Sequence, residues 1–297
     1  MRISKALDAL CEHAEYFKNY SENTLDRYSS VVKNFKRSIE VNQVENISEK
    51  KVRKFFVNGR SKRDWSPETF ITYQQTLTVF FRWCINQGYM ENNYAEDIQT
   101  PKKEKKLPKS LNREEAEKII EYAYNLPYGH NENYLRHRNR AIFATFIFTG
   151  LRRQELLDLG NGDVDLEHKS IFVNKGKGSK DRYVPITARL SKILKKYRKV
   201  RGQKNKTCPS FFVSCREDTG FTPSGLKRLT DRIEEESGIS FSPHVLRHTF
   251  ATLMLEGGTD IYSLSKMLGH EKIETTAVYL AASSKHLESE IDKHPLN

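Results

Sequence analysis

Several common features are missing from this sequence, and each absence excludes a class of protein. No apolar run approaches the roughly 20 residues that a helix needs to span a bilayer. The N-terminus lacks the apolar region of a secretory signal peptide. The four cysteines form no Cys-x-x-Cys pair, so we interpret them as reduced structural thiols. We therefore expect a soluble, cytoplasmic protein.

Positive charge, by contrast, is in excess, and the net charge of +12 is typical of a protein that binds a polyanion. Residues 1–100 carry a net charge of only +2, whereas the ten residues 101–110 carry +4. Prolines near both ends of this short segment disfavour a helix, so it is predicted to be an extended linker between two domains. Its lysines either follow a nucleic-acid backbone or are solvated, and composition alone allows both. They include Lys102, Lys103, Lys105 and Lys106.

Residues 1–100 are predicted to form a bundle of four helices. Apolar residues recur at helical spacing in four runs that begin near residues 4, 21, 48 and 66. Serines precede the later runs as candidate caps, and a proline follows the serine at 66 in the position that favours a helix start. Nothing catalytic is visible in this part of the chain.

Residues 111–297 are predicted to combine helices with a small β-hairpin. Alternating apolar positions predict strands over residues 170–174 and 181–186, joined by a turn rich in glycine and lysine. That turn lacks the Gly-x-x-x-x-Gly-Lys-Ser/Thr pattern, so a nucleotide site of the P-loop type is not expected. Helical spacing covers residues 112–123, 187–200, 222–236 and 259–268, residues 138–148 are strongly apolar, and residues 128–134 are predicted to be a loop.

Chemically active side chains concentrate near the C-terminus. A Ser-Pro pair predicts a helix start, which places His244 and Arg247 on one face of its first turns, where anions are favoured. His270 follows, and Tyr279 lies nine residues beyond it. A tyrosine with its ordinary pKa of about 10 is a poor nucleophile. Cations beside a phosphate change this, because they stabilise both the phenolate and the charge on a transferring phosphoryl group.

Taken singly, these residues fit an ordinary helix and its surroundings, but together they resemble the C-terminal signature of the tyrosine recombinases, above all the Xer type. The string over residues 244–252 reads His-x-x-Arg-His-Thr-Phe-Ala-Thr, and Leu-Gly-His and the tyrosine follow. Residues 149–156 read Thr-Gly-Leu-Arg-x-x-Glu-Leu, which is similar to the family's first motif. The resemblance covers nearly the whole chain.

The resemblance implies a mainly α-helical fold that closes as a C-shaped clamp around DNA. Residues 1–100 would form the helical core-binding domain and residues 101–110 the basic linker. Residues 111–297 would form the catalytic domain, mostly α with a small antiparallel sheet. A tail within this domain, residues 285–297, would dock into a neighbouring protomer.

The resemblance also implies a role for each candidate side chain. The family's reaction joins a tyrosine to a scissile phosphate, giving a 3′-phosphotyrosine and a free 5′-OH. The implied catalytic residues are Arg152, Lys177, His244, Arg247, His270 and Tyr279, with Glu155 in a supporting role. Arg153 stays open as an alternative to Arg152, and Lys175 and Lys180 as alternatives to Lys177. Lys227 and Arg228, on the helix predicted over residues 222–236, either face DNA or are solvated.

The implied partner is double-stranded DNA with a short inverted-repeat site. Recombination would pass through a Holliday junction in a homo-tetramer, or in a hetero-tetramer with a paralogous recombinase. No cofactor is implied, because a phosphotyrosine keeps the energy of the broken phosphodiester. A zinc helix is disfavoured: His244 and His248 have the spacing of His-Glu-x-x-His, but Val245 stands where the glutamate is needed.

Four functions share these features in part. Xer-like resolution of DNA dimers is the leading hypothesis. An integrase of a mobile element would use the same chemistry. A type IB topoisomerase would relax supercoils within one duplex, and a DNA-binding protein without catalysis would need none of the six residues.

Overall fold

The computed structural model describes residues 1–102, 108–174 and 181–280. The chain divides into two compact units, Met1–Lys105 and Lys106–Asn297. Several predicted features lie outside the described residues, namely Lys103, Lys105, Lys106, the turn with Lys175, Lys177 and Lys180, and the tail over residues 285–297. Within the described residues, no helix has an apolar stretch of the length that a bilayer-spanning segment needs.

The first unit contains the four predicted helices. They are α1 (Ile3–Tyr16), α2 (Glu22–Ile39), α3 (Glu49–Ser61) and α4 (Pro67–Asn86). Ser66 caps α4 as expected, since its hydroxyl accepts a hydrogen bond from the backbone N–H of Thr69 at 3.2 Å. The core is aromatic: Phe35 is fully buried and meets the rings of Phe55 and Phe81 edge to face.

The second unit is built from helices around a small sheet. Its helices are α5 (Arg113–Asn125), α6 (Glu132–Thr149), α7 (Arg153–Asp158), α8 (Ala188–Gly202), α9 (Pro223–Ser237), α10 (Pro243–Glu256), α11 (Ile261–Leu268) and α12 (Glu274–Ala277). Its strands are β1 (Val164–Asp165), β2 (Ser170–Val173) and β3 (Arg182–Pro185). The mainly helical fold with a small antiparallel sheet is therefore confirmed.

The sheet has the strand order β1-β2-β3, and both pairings are antiparallel. Ile171 pairs with Val184, and both side chains are buried against the helices. On β3 the burial alternates, so Arg182 and Val184 point inward while Tyr183 is exposed. The strand therefore delivers one charged side chain into the interior of the unit.

The helix α6 is central to this unit and packs against α5, α8 and α10. It begins at Glu132, inside the loop predicted over residues 128–134, so that prediction was wrong at its C-terminal end. Its first turns look polar in the sequence, but Tyr134 is buried and its hydroxyl donates to the carbonyl of Val213 at 3.0 Å. Buried polar groups of this kind are satisfied by partners far along the chain, which local polarity cannot reveal.

The end of α6 approaches α10 closely. Gly150 follows the helix with a positive φ of 62°, and a Cβ there would lie 2.4 Å from the ring of Phe250. Both observations require glycine at this position. A small apolar cluster of α10, α11 and the following segment lies next to it and includes Leu264, Leu268 and Tyr279.

Candidate active site

Arg247 lies at the centre of the site. It extends from the second turn of α10, which begins as predicted: Ser242 accepts a hydrogen bond from the N–H of Val245, and Pro243 is in the first turn. Its guanidinium is almost fully buried and donates to the carbonyls of Gly150 at 2.7 Å and Leu268 at 2.8 Å. These carbonyls lie at the C-terminal ends of α6 and α11, where partial negative charge accumulates.

His270 is tied to the same guanidinium. Its Nε2 lies 2.9 Å from Arg247 Nη2, and its Nδ1 lies 2.8 Å from the hydroxyl of Thr276. Because arginine can only donate, Nε2 must accept, and the proton of a neutral His270 is therefore on Nδ1. Burial, followed by the nearby charge of Arg152, lowers the pKa of Arg247 to about 10, so it stays a cation at neutral pH.

Arg152 is fixed at the start of α7 by Glu155. Its backbone N–H donates to Glu155 Oε2 at 2.8 Å, and its Nη1 donates to Oε1 at 2.7 Å. Its Nη2 also reaches the carbonyl of Gly269 at 3.4 Å. Its side chain keeps 40% of its surface exposed, so a ligand can still reach it. Arg153, the neighbouring alternative, is exposed.

Glu155 is held from its other side by Arg182, which the sequence analysis missed. Arg182 donates to the two Glu155 oxygens at 3.0 and 2.8 Å, and its Nε donates to the carbonyl of Met267 at 2.7 Å. Burial alone would raise the pKa of Glu155, but the hydrogen bonds from Arg182 and from the Arg152 backbone outweigh it and lower the pKa to about 2. The signal for Arg182 was its inward position in the alternating strand β3.

We call Arg152, Glu155, Arg182 and Arg247 the arginine cluster. Its members come from a loop, two helices and a strand, and they are joined by ion pairs or by shared contacts with the end of α11. Within the cluster, half-exposed Arg152 contrasts with buried Arg247 and Arg182. Such a cluster can present positive charge to an anion while most of its own contacts stay satisfied.

Tyr279 lies in the segment after His270, which we call the tyrosine segment (residues 270–280). The helix α12 in this segment is only four residues long, and the Tyr279 backbone N–H donates to the carbonyl of Thr276 at 3.0 Å just beyond it. The Tyr279 side chain is almost fully buried. Burial raises the pKa of Tyr279, while the charges of Arg247 and Arg152 act in the opposite direction.

The Tyr279 hydroxyl contacts a residue that was not predicted to belong to the site. Its Oη lies 2.8 Å from Nδ1 of His248, and the two rings are 5.4 Å apart. His248 is half-buried, and burial, followed by the charges of His244 and Arg247, lowers its pKa. The available signal was the spacing of His248 relative to His244 and Arg247, which puts all three on one face of α10.

The remaining predicted residues are exposed or lie outside the described residues. His244 is exposed in the first turn of α10, and its side chain forms no hydrogen bond within the described residues. On α9, exposed Lys227 pairs with Asp231 at 2.9 Å, and Arg228 is also exposed. Lys102 is exposed as well, whereas Lys177 is outside the described residues. Among the residues with described positions, no group of three His, Cys, Asp or Glu side chains could hold a metal ion.

Both parts of the chain match known protein families. Residues 109–286 match the Phage integrase family, and residues 7–91 match the N-terminal SAM-like domain of phage integrases. The tyrosine recombinase XerA of Thermococcus onnurineus is 33% identical over 97% of this chain and 96% of its own. The tyrosine recombinase XerC of Oceanobacillus iheyensis is 30% identical over 97% of this chain and 95% of its own.

A solved structure is also similar. The XerH site-specific recombinase, bound to its palindromic difH substrate in a post-cleavage complex, superposes with a TM-score of 0.75. It is 25% identical, and the match covers 97% of this chain and 83% of that one.

Proposed function

The chain belongs to the phage integrase family and is a site-specific DNA recombinase of the tyrosine type, and from this premise we propose that Tyr279 is its nucleophile. The observation that carries the proposal is the position of buried Tyr279 beside α10. Its Oη lies 2.8 Å from His248, the neighbour of Arg247, and the charges of Arg247 and Arg152 act on its phenol. Two arginines within electrostatic reach of one buried hydroxyl are suited to a reaction at a phosphodiester.

In the proposed reaction, Tyr279 Oη attacks the phosphorus and the bond from phosphorus to the 5′ oxygen breaks. The products are a 3′-phosphotyrosine and a 5′-OH. Arg152 and Arg247 hold the non-bridging oxygens, a task that suits the planar, permanently charged guanidinium. Lys177 gives a proton to the leaving 5′ oxygen, and His244 and His270 assist in proton handling and phosphate contact.

The arginine cluster supports this division of labour. Glu155 is ionised and binds one side of the Arg152 guanidinium. This contact fixes the orientation of Arg152, whose other side is free to contact the phosphate. Arg182 is a positioning residue in this scheme, because it contacts Glu155 and would not contact the phosphate. Attack by a 5′-OH on the phosphotyrosine reverses the same steps, so recombination needs no external energy source and no cofactor.

DNA is the proposed partner, since similar XerH is solved on its difH substrate. We assign phosphate contacts outside the reacting centre to the linker residues Lys102, Lys103, Lys105 and Lys106 and to Lys227 and Arg228 of α9. Such contacts add affinity without sequence preference. The domain limits of 1–100, 101–110 and 111–297, and their closure around the duplex, remain part of the proposal.

The biological role we favour is the resolution of chromosome or plasmid dimers in the cytoplasm. Similarity to XerA and XerC along nearly the full length supports it. Integration of a mobile element is the alternative with the same chemistry. Assembly would be tetrameric, either of this chain alone or with a paralogue, with half of the subunits cleaving at a time. Deletion of residues 285–297 should then abolish the tetramer but leave binding to a single site measurable.

The deciding experiment is covalent trapping on DNA. The full-length protein is incubated with nicked suicide duplexes that carry candidate inverted-repeat sites from its own genome, and denatured protein is tested for attached oligonucleotide. Peptide mapping should place the adduct on Tyr279. An adduct on another side chain, or none on a site that the protein binds, would contradict the assignment. Exchanged strands and junctions indicate recombination, whereas relaxed circles alone would indicate a topoisomerase.

A further inference from the structure

The immediate surroundings of the Tyr279 hydroxyl contain an additional functional group. In the described part of the chain its one hydrogen-bond partner is Nδ1 of His248, at 2.8 Å. Arg152, His244 and Arg247 form no hydrogen bond with this oxygen in the described part of the chain. Attack on phosphorus nevertheless requires that the phenol proton be transferred to an acceptor.

The direction of this hydrogen bond follows from the two groups themselves. Burial raises the pKa of Tyr279, so at neutral pH the hydroxyl carries its proton. Burial and two neighbours on α10, His244 and Arg247, lower the pKa of His248, so its imidazole is neutral. A neutral imidazole can accept at one nitrogen, and Nδ1 is the nitrogen that faces the phenol. Tyr279 therefore donates, and the proton of His248 is on Nε2.

The position of His248 on α10 stabilises its hydrogen bond with Tyr279. The helix is anchored by Arg247, whose guanidinium binds the ends of two other helices. His248 follows directly and packs against the tyrosine ring, with the ring centres 5.4 Å apart. One helix therefore holds the cation that would bind the phosphate and the imidazole that holds the nucleophile, which fixes one relative to the other.

We propose that His248 is a catalytic residue that orients the Tyr279 hydroxyl and accepts its proton during attack. The inference rests on the proposed role of Tyr279. As the bond from Oη to phosphorus forms, the phenol proton moves to Nδ1 of His248. The bond from phosphorus to the 5′ oxygen breaks, and Lys177 donates a proton to that oxygen. In the reverse step a 5′-OH attacks, Lys177 recovers its proton, and His248 returns its proton to the phenolate. Both groups end as they began.

Binding of the scissile phosphate would make it easier for His248 to accept a proton. In the free protein, Arg247 and His244 disfavour a positive charge on His248. A scissile phosphate bound by Arg152 and Arg247 brings negative charge to the same region, and negative charge favours the imidazolium. Proton transfer therefore becomes easier only when DNA is in place, and the nucleophile stays protonated in its absence.

Two substitutions separate orientation from proton transfer. His248→Phe removes both functions, whereas His248→Asn offers an amide oxygen near the position of Nδ1 that can accept the hydrogen bond but not the proton. In single-turnover cleavage of a suicide substrate, we expect His248→Phe to be slowed by about 10²-fold to 10⁴-fold. His248→Asn should be slowed less. Exposed His130, replaced by Phe, is the matched control and should cleave like the parent. DNA affinity and thermal stability report whether each variant is folded.

A substrate with sulfur in place of the bridging 5′ oxygen isolates the attacking side. A thiolate leaves without needing a proton, so this substrate should rescue Lys177→Ala but not His248→Phe. On this substrate, the parent protein should cleave at a constant rate between pH 7 and pH 9. In this range Arg247 stays charged, and His248, which faces His244, Arg247 and Tyr279, stays neutral. His248→Phe should become about tenfold faster for each pH unit, because only the phenolate formed by solvent can attack.

The outcomes are decisive in both directions. Wild-type rates in His248→Phe, rescue of that variant by sulfur, or a flat pH profile in it would each overturn the role of His248. If instead the parent protein forms an adduct at a residue other than Tyr279, the proposed function fails first, and the two failures are distinguishable.

Discussion

The arginine cluster and the tyrosine segment contribute to one site, but they are held in very different ways. The arginine cluster is held by the buried ion pair of Arg182 with Glu155, by the partly exposed pair of Arg152 with Glu155, and by carbonyls from two helix ends. The tyrosine segment has a four-residue helix and the hydrogen bond between His270 and Thr276. Its Tyr279 ring packs in an apolar cluster, and the Tyr279 hydroxyl has one hydrogen bond among the described residues, with His248. The groups that would bind phosphate are thus held by charged and polar contacts, whereas the proposed nucleophile is held by apolar packing and one side-chain hydrogen bond.

The largest effect should come from the proposed nucleophile, Tyr279. Tyr279→Phe removes one oxygen at the edge of a small apolar cluster, so the fold should be preserved. Covalent complex formation should be abolished, because no other described group occupies that position, while affinity for the DNA site should be unchanged in a gel-shift titration. Loss of DNA binding together with cleavage would show that the tyrosine segment is as structural as the arginine cluster.

A substitution inside the arginine cluster should, in contrast, reduce the stability of the fold. Arg182→Leu leaves Glu155 buried with one of its two cationic partners missing, and breaking a buried pair typically costs about 3–5 kcal/mol of stability. Urea denaturation should show a loss of this size, and cleavage should fall because Glu155, which fixes Arg152, is no longer held from its other side. As control, Arg53→Leu breaks an exposed pair with Glu49 on α3 and should change stability by less than about 1 kcal/mol. Equal effects of the two variants would contradict the distinction between core and surface pairs.

Acid should weaken the arginine cluster in a definite pH window. The pKa of Glu155 is lowered from 4.5 to about 2 in the folded protein, so its stabilisation is complete above pH 4.5 and is lost as the pH falls toward 2. The shift corresponds to about 3 kcal/mol. Glu155→Gln should lack this component, so the stability difference between the two proteins should shrink by that amount between pH 6 and pH 2. A constant difference over this range would mean that Glu155 is not held as an ion.

The smallest effect should be on the exposed face of α9. Lys227→Ala loses only an exposed pair with Asp231, so stability should change by less than about 0.5 kcal/mol. If Lys227 contacts a phosphate, DNA affinity falls for all sequences and the salt dependence becomes shallower by about one ion. Asp231→Asn is the matched variant, because it frees the lysine and should not weaken binding. An unchanged salt dependence in Lys227→Ala would identify the face as solvated.

The two regions also differ in what their sequence could reveal. The start of α10 and the shared face of His244 and Arg247 follow from local rules, because caps and helical spacing act over a few residues. Arg182 and His248 were missed since their partners lie 27 and 31 residues away, and no local pattern connects them. The first turns of α6 were misjudged for a related reason: polar side chains there are satisfied inside the unit by distant carbonyls.

Arg247 closes the ends of α6 and α11 whether or not DNA is present. A mutation that removed it would leave two buried carbonyls unpaired and would harm folding before it harmed chemistry. The Tyr279 hydroxyl closes no helix end, although its ring is buried in the apolar cluster with Leu264 and Leu268. In a relative that had lost the cleavage reaction, phenylalanine could therefore replace tyrosine at 279, whereas arginine would be retained at 247 for its contribution to folding alone.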